Sequence, residues 1–130
     1  MTHSLAVLMT ALLFGGMTLY SFGFAAFLFT ALPAPVAGAT LRRAFPWFYL
    51  FVMGAAVLAA LLWWPHDAVA AAVAATVAFT TYPVRQLLMP AINRATDADD
   101  RQLFKWLHGA SVVVTLAHIA GTGWLLIRLV

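Results

Sequence analysis

Residues 4–32 read SLAVLMTALLFGGMTLYSFGFAAFLFTAL and contain no charged side chain. A helix that spans the hydrocarbon core of a bilayer needs about 20 consecutive, mostly apolar residues. This run exceeds that length, and it is also longer than the apolar core of a secretory signal, which is about 7–15 residues. The run therefore predicts a retained first transmembrane helix that ends before Pro33.

Three further apolar runs follow, at residues 45–64, 68–89 and 102–130. Over the whole chain 65% of the residues are hydrophobic and 8% are charged, whereas a soluble domain has roughly 25% charged residues. So few charges do not cover a surface that faces water. The sequence predicts an all-α integral membrane protein, with residues 1–130 forming a single transmembrane domain that folds as an antiparallel four-helix transmembrane bundle.

Basic side chains are concentrated in the connections between the first and second runs and between the third and fourth. Because loops rich in Lys and Arg stay on the cytoplasmic side, we interpret these residues as cytoplasmic anchors in a cell (inner) membrane. Both chain termini are then expected on the non-cytoplasmic side. Basic loops placed this way orient a chain in lipid, so nucleic acid is not an expected partner. The anchors are Arg42, Arg43, Arg94, Arg101 and Lys105. The tryptophans expected at the two membrane boundaries are Trp47, Trp63, Trp64, Trp106 and Trp124.

The fourth run carries polar residues at intervals of three, four, three and four: His108, Ser111, Thr115, His118 and Thr122. This spacing keeps side chains on one face of a helix. We call this set the polar seam. Because polar groups are costly against lipid, the seam is expected to face into the bundle. Two interpretations stay open: hydrogen bonding that fixes helix packing, or a path for a substrate or for protons.

The two histidines of the seam are candidate ligands. His108 and His118 are about 15 Å apart along a helix, which is too far for one metal ion with ligand bonds of about 2 Å. Each would need partners from other helices. The candidates are the thioethers of Met9, Met17 and Met53 and the hydroxyls of Thr76, Thr80 and Tyr82. Haem and copper are both possible cofactors, but the sequence requires neither, and without cysteine the chain has no thiolate ligand.

Proline and aspartate mark the predicted helix ends. Pro83 is expected to bend or break the third helix, since it removes a backbone donor. Asp67 is expected to cap the start of the third helix. Asp97, Asp99 and Asp100 are expected in the first turn of the fourth, where acidic groups complement the helix dipole.

Several short stretches together resemble the transmembrane-protein-205-like family of small four-helix membrane proteins, whose bacterial branch has no settled activity. The stretch from Phe104 to Ser111 is the most specific of these. The resemblance implies a four-helix membrane fold, and the family's association with metal-compound resistance implies export or membrane handling of a toxic metal species. Thr115 stands where the family pattern tends to have Asn. The other stretches are Gly15-Gly16, residues 29–33, Gly38 with residues 42–46, and Pro90.

Three functional hypotheses follow. The first is transport of, or resistance to, a metal ion or small toxic compound along the polar seam. The second is a haem-binding membrane redox protein or enzyme with His108 or His118 as axial ligand, and the third is a non-catalytic accessory subunit of a larger membrane complex. No catalytic constellation is visible, so an enzyme is the less favoured interpretation. Since four helices enclose little space, a transporter of this size is expected to be a homo-oligomer.

Overall fold

Within residues 1–129, which the computed structural model describes, the chain forms four long helices. They are α1 (Thr2–Ala31), α2 (Ala34–Trp63), α3 (Ala68–Asp97) and α4 (Arg101–Arg128). Each is long and apolar enough to cross a membrane. The predicted all-α transmembrane bundle is therefore confirmed. The predicted end of the fourth helix, at residue 130, lies outside the described residues.

The helices run up and down, and each contacts the next one in the chain, while α4 also contacts α1. The starts of α1 and α3 meet the ends of α2 and α4 at what we call the His-rich end, where Thr2 Oγ1 and His66 Nε2 are 2.8 Å apart. At the opposite, Arg-rich end, the Arg42 guanidinium donates two hydrogen bonds of 2.6 and 2.8 Å to the Asp97 carboxylate.

Helix α2 begins at Ala34, well before the predicted start at residue 45. The turn between α1 and α2 is formed at Pro33, and Pro35 lies in the first turn of α2, where its missing N–H has no helical partner to lose. Arg42 and Arg43 therefore lie on a helix and not in a loop. The prediction placed the helix start at the membrane boundary, but the helix continues beyond the apolar run.

Helix α3 also continues past its predicted end at residue 89. Pro83 does not break it, because residues Val84–Leu88 widen into a π-helical segment and the α-helix resumes at Met89. In a π-helical segment the backbone hydrogen bonds join residues five apart instead of four. This shift lets the helix continue although Pro83 has no N–H to donate. Helix α1 contains a second such segment, Leu19–Phe24.

The predicted cap at Asp67 is confirmed, since its carboxylate accepts hydrogen bonds from the backbone N–H groups of Val69 and Ala70. The expectation that three aspartates lie in the first turn of the fourth helix is wrong, because α4 begins at Arg101. Asp97 ends α3 and pairs with Arg42, Asp99 precedes the helix, and Asp100 is its N-cap and accepts a hydrogen bond from the Leu103 N–H.

The core at the His-rich end is organised around Trp63, which is fully buried. Its Nε1–H donates a 2.9 Å hydrogen bond to Thr10 Oγ1 on α1, and that hydroxyl donates to the Ala6 carbonyl. The prediction of Trp63 as an interfacial anchor is therefore wrong, whereas its neighbour Trp64 is 80% exposed. An indole N–H that is buried in apolar surroundings requires such an acceptor.

We expect Thr10→Val to destabilise the bundle by about 1 kcal/mol, since it leaves the Trp63 indole N–H buried without an acceptor. Thr81→Val is the matched control: Thr81 is equally buried and donates to its own helix at the Val77 carbonyl, but accepts no indole. The measurement is the free energy of unfolding in mixed micelles. Equal losses in the two variants would contradict a role for the Trp63–Thr10 bond.

Asp67 predicts a pH dependence. The hydrogen bond from the Ala70 N–H, with those from Val69 and the nearby Arg128, holds the pKa of the Asp67 carboxyl below its usual range. A lowered folded-state pKa means that the carboxylate stabilises the fold above the unfolded pKa, and that this stability is lost as the pH falls through the folded pKa.

Asp67→Asn keeps a capping oxygen and removes the charge. We expect a lower melting temperature than that of the native chain at pH 7, and a difference that shrinks as the pH falls below about 4. Asp99→Asn is the control, because the Asp99 carboxylate is 86% exposed and 3.7 Å from Arg101. A melting-temperature difference for Asp67→Asn that is unchanged between pH 7 and pH 3 would contradict this.

Candidate functional site

The polar seam of α4 does not face one environment. Ser111 and Thr122 are buried, and Thr115 and His118 are partly buried. His108 is exposed on the outside of the bundle, where its ring stacks on Phe104 with the centroids 5.3 Å apart. The expectation that the seam faces inward is therefore wrong for His108, which lies at the edge of the helix face that the other four share.

Two hydroxyls of the seam bond to their own helix. Ser111 donates to the His108 carbonyl at 2.7 Å, and Thr122 donates to the His118 carbonyl at 2.8 Å. Such bonds to the preceding turn satisfy Ser and Thr without a second helix. The Ser111 and Thr122 side chains therefore lie inside the bundle without a hydrogen bond from α4 to a neighbouring helix.

His118 alone joins the seam to another helix among the described residues. Its Nε2 is 2.7 Å from Thr80 Oγ1 on α3, and the Thr80 hydroxyl is 2.6 Å from the Thr76 carbonyl. A hydroxyl has one hydrogen. If Thr80 donates it to Thr76, its oxygen accepts from the His118 Nε2–H, which assigns the tautomer from the hydrogen-bond network. Thr80, one of the oxygen partners suggested by the sequence, is therefore the partner of His118.

A small cavity lies inside the bundle, beside His118. It offers about 10 Å³ to the centre of a water-sized sphere, which is space for about one water molecule. Met17 of α1, Thr81 of α3 and Thr115 of α4 line it, together with Tyr49 of α2. The structure thus brings two predicted ligands, Met17 and His118, to the same cavity.

A much larger space lies between α3 and α4 and opens towards the bilayer. We call it the lateral groove; its volume is about 650 Å³. It exists because α4 contacts the last segment of α3, Met89–Asp97, more extensively than the first, Ala68–Pro83. Its walls are mostly alanine, valine and glycine. The lining residues are Ala68, Val69, Ala72, Val73, Thr76, Val77, Thr80, Val113, Val114, Ala117, His118 and Gly121.

His118 lines both the interior cavity and the lateral groove, and so does Val114. These two side chains form the wall between the two spaces. A group that binds at the groove side of this wall is therefore one side chain away from the interior.

The site has limited capacity for cofactors. Among residues 1–129 no three His, Asp or Glu side chains lie together as metal ligands. The cavity does, however, offer the imidazole of His118 and the thioether of Met17, which soft ions such as Cu(I) accept. Its volume admits a single ion and is too small for a haem.

Two residues of the cavity were missed from the sequence, Tyr49 and Thr81. Both are buried. Thr81 could have been found from helical periodicity, because it follows the buried Ala74 and Val77 and precedes the buried Val84 at intervals of three and four. Tyr49 carries the same signal, since the buried Val52, Ala56 and Ala59 follow it at intervals of three, four and three.

The five predicted cytoplasmic anchors are all exposed, and all of them lie at the Arg-rich end. Arg42 contacts Asp97, and its salt bridge joins α2 to α3 outside the predicted apolar runs. The group comprises Arg42, Arg43, Arg94, Arg101 and Lys105.

Comparison with known proteins gives one finding. Residues 8–101 match DUF4149, described as a domain of unknown function. The chain belongs to the DUF4149 family. The match extends from α1 to the start of α4, so this DUF4149 chain carries Met17 and Thr80 inside the matched range and His118 outside it. No curated protein and no solved structure matches the chain.

Proposed function

We propose that the protein acts in transport of, or resistance to, a metal ion or small toxic compound, and that His118 binds the substrate or relays a proton. The observation that carries the proposal is that His118 lines both the interior cavity and the lateral groove. An ionisable residue within a membrane span is costly, and such residues commonly mark a pathway for substrate or protons.

The interior cavity supports the metal-ion form of the proposal. Met17 and His118 line a space of ion size, and their side chains carry a thioether sulfur and an imidazole nitrogen, the donor types that soft ions accept. Thr81 and Thr115 add hydroxyl oxygens beside them. A Cu(I) or Ag(I) ion is the substrate that this donor set fits best.

A path through the membrane needs more space than one chain encloses, since the cavity holds about one water molecule. We therefore propose a homo-oligomer as the transporting form. In such an assembly the exposed His108 would reach a path only at an interface between copies, whereas Ser111, Thr115 and Thr122 would act within one chain.

The test compares His118→Ala with His108→Ala in cells that depend on this protein for growth in copper or silver. We expect His118→Ala to lower the tolerated metal concentration by at least about tenfold, as loss of a metal-site residue commonly does. His108→Ala, the same change on the outside of the same helix, tests whether an interface between copies contributes. Leu116→Ala is the neutral control, because Leu116 is exposed on this helix and lines neither the cavity nor the groove. Protein levels in the membrane are measured for all three variants.

Purified protein gives the second measurement. We expect about one Cu(I) per chain, with weaker binding in Met17→Leu and His118→Ala and no change in Met53→Leu, because Met53 does not line the cavity. Unchanged tolerance and unchanged copper binding in His118→Ala would overturn the proposal. A Soret band after haem supplementation that disappears in His108→Ala or His118→Ala would replace it with the haem-binding function, and stable co-purification with other subunits would favour the accessory function.

We also propose that the protein lies in the inner membrane with its Arg-rich end in the cytoplasm and both termini on the other side. The chain has no cysteine, so single-cysteine variants report cleanly. We expect a membrane-impermeant maleimide to label Ser4→Cys from the non-cytoplasmic side of intact cells, and Thr96→Cys only after permeabilisation. Both positions are exposed. The reverse labelling pattern would overturn this orientation.

A further inference from the structure

The lateral groove has the dimensions of a ligand site. Along α3 it extends from Ala68 to Thr80, a helical rise of about 18 Å, and its volume is about 650 Å³. Small-molecule sites are commonly about 300–1,000 Å³. The space is therefore elongated along α3, and its volume is that of a site for one small molecule.

The polar atoms of the groove lie close together, on Thr76, Thr80 and His118, and all three side chains can accept a hydrogen bond. Thr76 donates its hydroxyl hydrogen to the Ala72 carbonyl, and Thr80 donates its own to the Thr76 carbonyl. With that hydrogen committed, the 2.7 Å contact between Thr80 Oγ1 and His118 Nε2 assigns the imidazole hydrogen to Nε2 from the hydrogen-bond network. In a neutral imidazole the other nitrogen, Nδ1, is then an acceptor. All three side chains have lone pairs to offer, and none has a free hydrogen. A ligand that matches these three side chains therefore has to donate a hydrogen bond to them.

The depth of these polar groups in the membrane limits which ligands can reach them. Thr80 follows the start of α3 by about 18 Å of helix, which is close to the middle of a hydrocarbon core about 30 Å thick. The headgroup of a phospholipid stays at the membrane surface and does not reach this depth. The remaining walls, from Ala68 to Val73, are apolar. A ligand therefore lies wholly within the bilayer, with its polar group at His118 and its apolar part towards the His-rich end.

From this geometry we infer that the lateral groove binds an elongated apolar molecule with one hydroxyl donor, such as an alkylphenol or a long-chain alcohol, taken from the bilayer. The ligand hydroxyl donates its single hydrogen to one of the two acceptors, His118 Nδ1 or Thr76 Oγ1. This inference deepens the proposed function and rests on it for its biological purpose, since it names the small-compound substrate.

The test is binding of 4-octylphenol and of its methyl ether, 4-octylanisole, to the full chain in phosphatidylethanolamine and phosphatidylglycerol nanodiscs. The two probes differ only in the hydroxyl donor. Binding is followed by NMR of ¹⁵N-labelled histidine side chains, in which His108 serves as an internal reference. We expect saturable binding of the phenol that shifts the His118 signal and leaves His108 unmoved, and binding of the ether at least about tenfold weaker.

A groove-filling variant supplies the matched control. Ala117 lines the groove, and Ala120 lies one turn away on the same helix, exposed and outside it. We expect Ala117→Leu to weaken phenol binding at least tenfold and Ala120→Leu to leave it unchanged. Equal binding of phenol and ether, or unchanged binding in Ala117→Leu, would overturn the inference. So would disulfide cross-linking of Ala72→Cys between two copies, because a second chain would then occupy the groove.

The two proposals fail separately. If His118→Ala leaves metal tolerance and tolerance to the phenol unchanged in cells while the phenol still binds the purified native chain, the transport function is wrong and the groove site stands. If tolerance depends on His118 but the phenol does not bind, only the groove inference is wrong.

Discussion

Hydrocarbon offers no water to a polar group, so a polar atom within the span is costly unless it finds a partner in the chain itself. Among the described residues, the buried Ser21 Oγ is the side-chain atom that has none. That constraint organises the whole bundle. It makes the backbone helical, turns the Thr10 and Thr122 hydroxyls towards their own helices, and places Thr10 under the Trp63 indole. It also accounts for the polar contact across the gap between α3 and α4, where His118 Nε2 lies 2.7 Å from Thr80 Oγ1.

The same constraint explains why the fold was predictable and the helix ends were not. Four apolar runs locate the helices, because length and hydropathy are what the bilayer requires. The ends were set at the edges of those runs, at residues 45 and 89, although a helix continues in water when its sequence allows. The sequence leaves open whether Pro83 bends or breaks the third helix, and the π-helical segment after it allows the helix to continue without that backbone donor.

The site was predictable in part for a similar reason. Spacing groups the seam residues on one face, and the structure does bring Met17, Thr115 and His118 to one cavity. Spacing does not say how wide the buried part of that face is, so His108 was expected inside and lies outside. Trp63 and Trp64 show the same limit: they are adjacent and chemically identical, yet one is fully buried and the other exposed. The packing of the other three helices around Trp63 decides between them, and spacing along one helix does not show it.

The groove remains to be explained physically. Residues at four-residue intervals line both of its walls, Ala68 and Ala72 on α3 and Ala117 and Gly121 on α4, and such small residues normally allow two membrane helices to approach closely. Here α3 and α4 converge at the Arg-rich end and separate towards the His-rich end. At that far end the Asp67 carboxylate and the Arg128 guanidinium span the two helices at 3.3 Å. Since lipid gives apolar helices no hydrophobic reason to close, contacts at the two ends are enough to keep the groove between them open for a slender molecule.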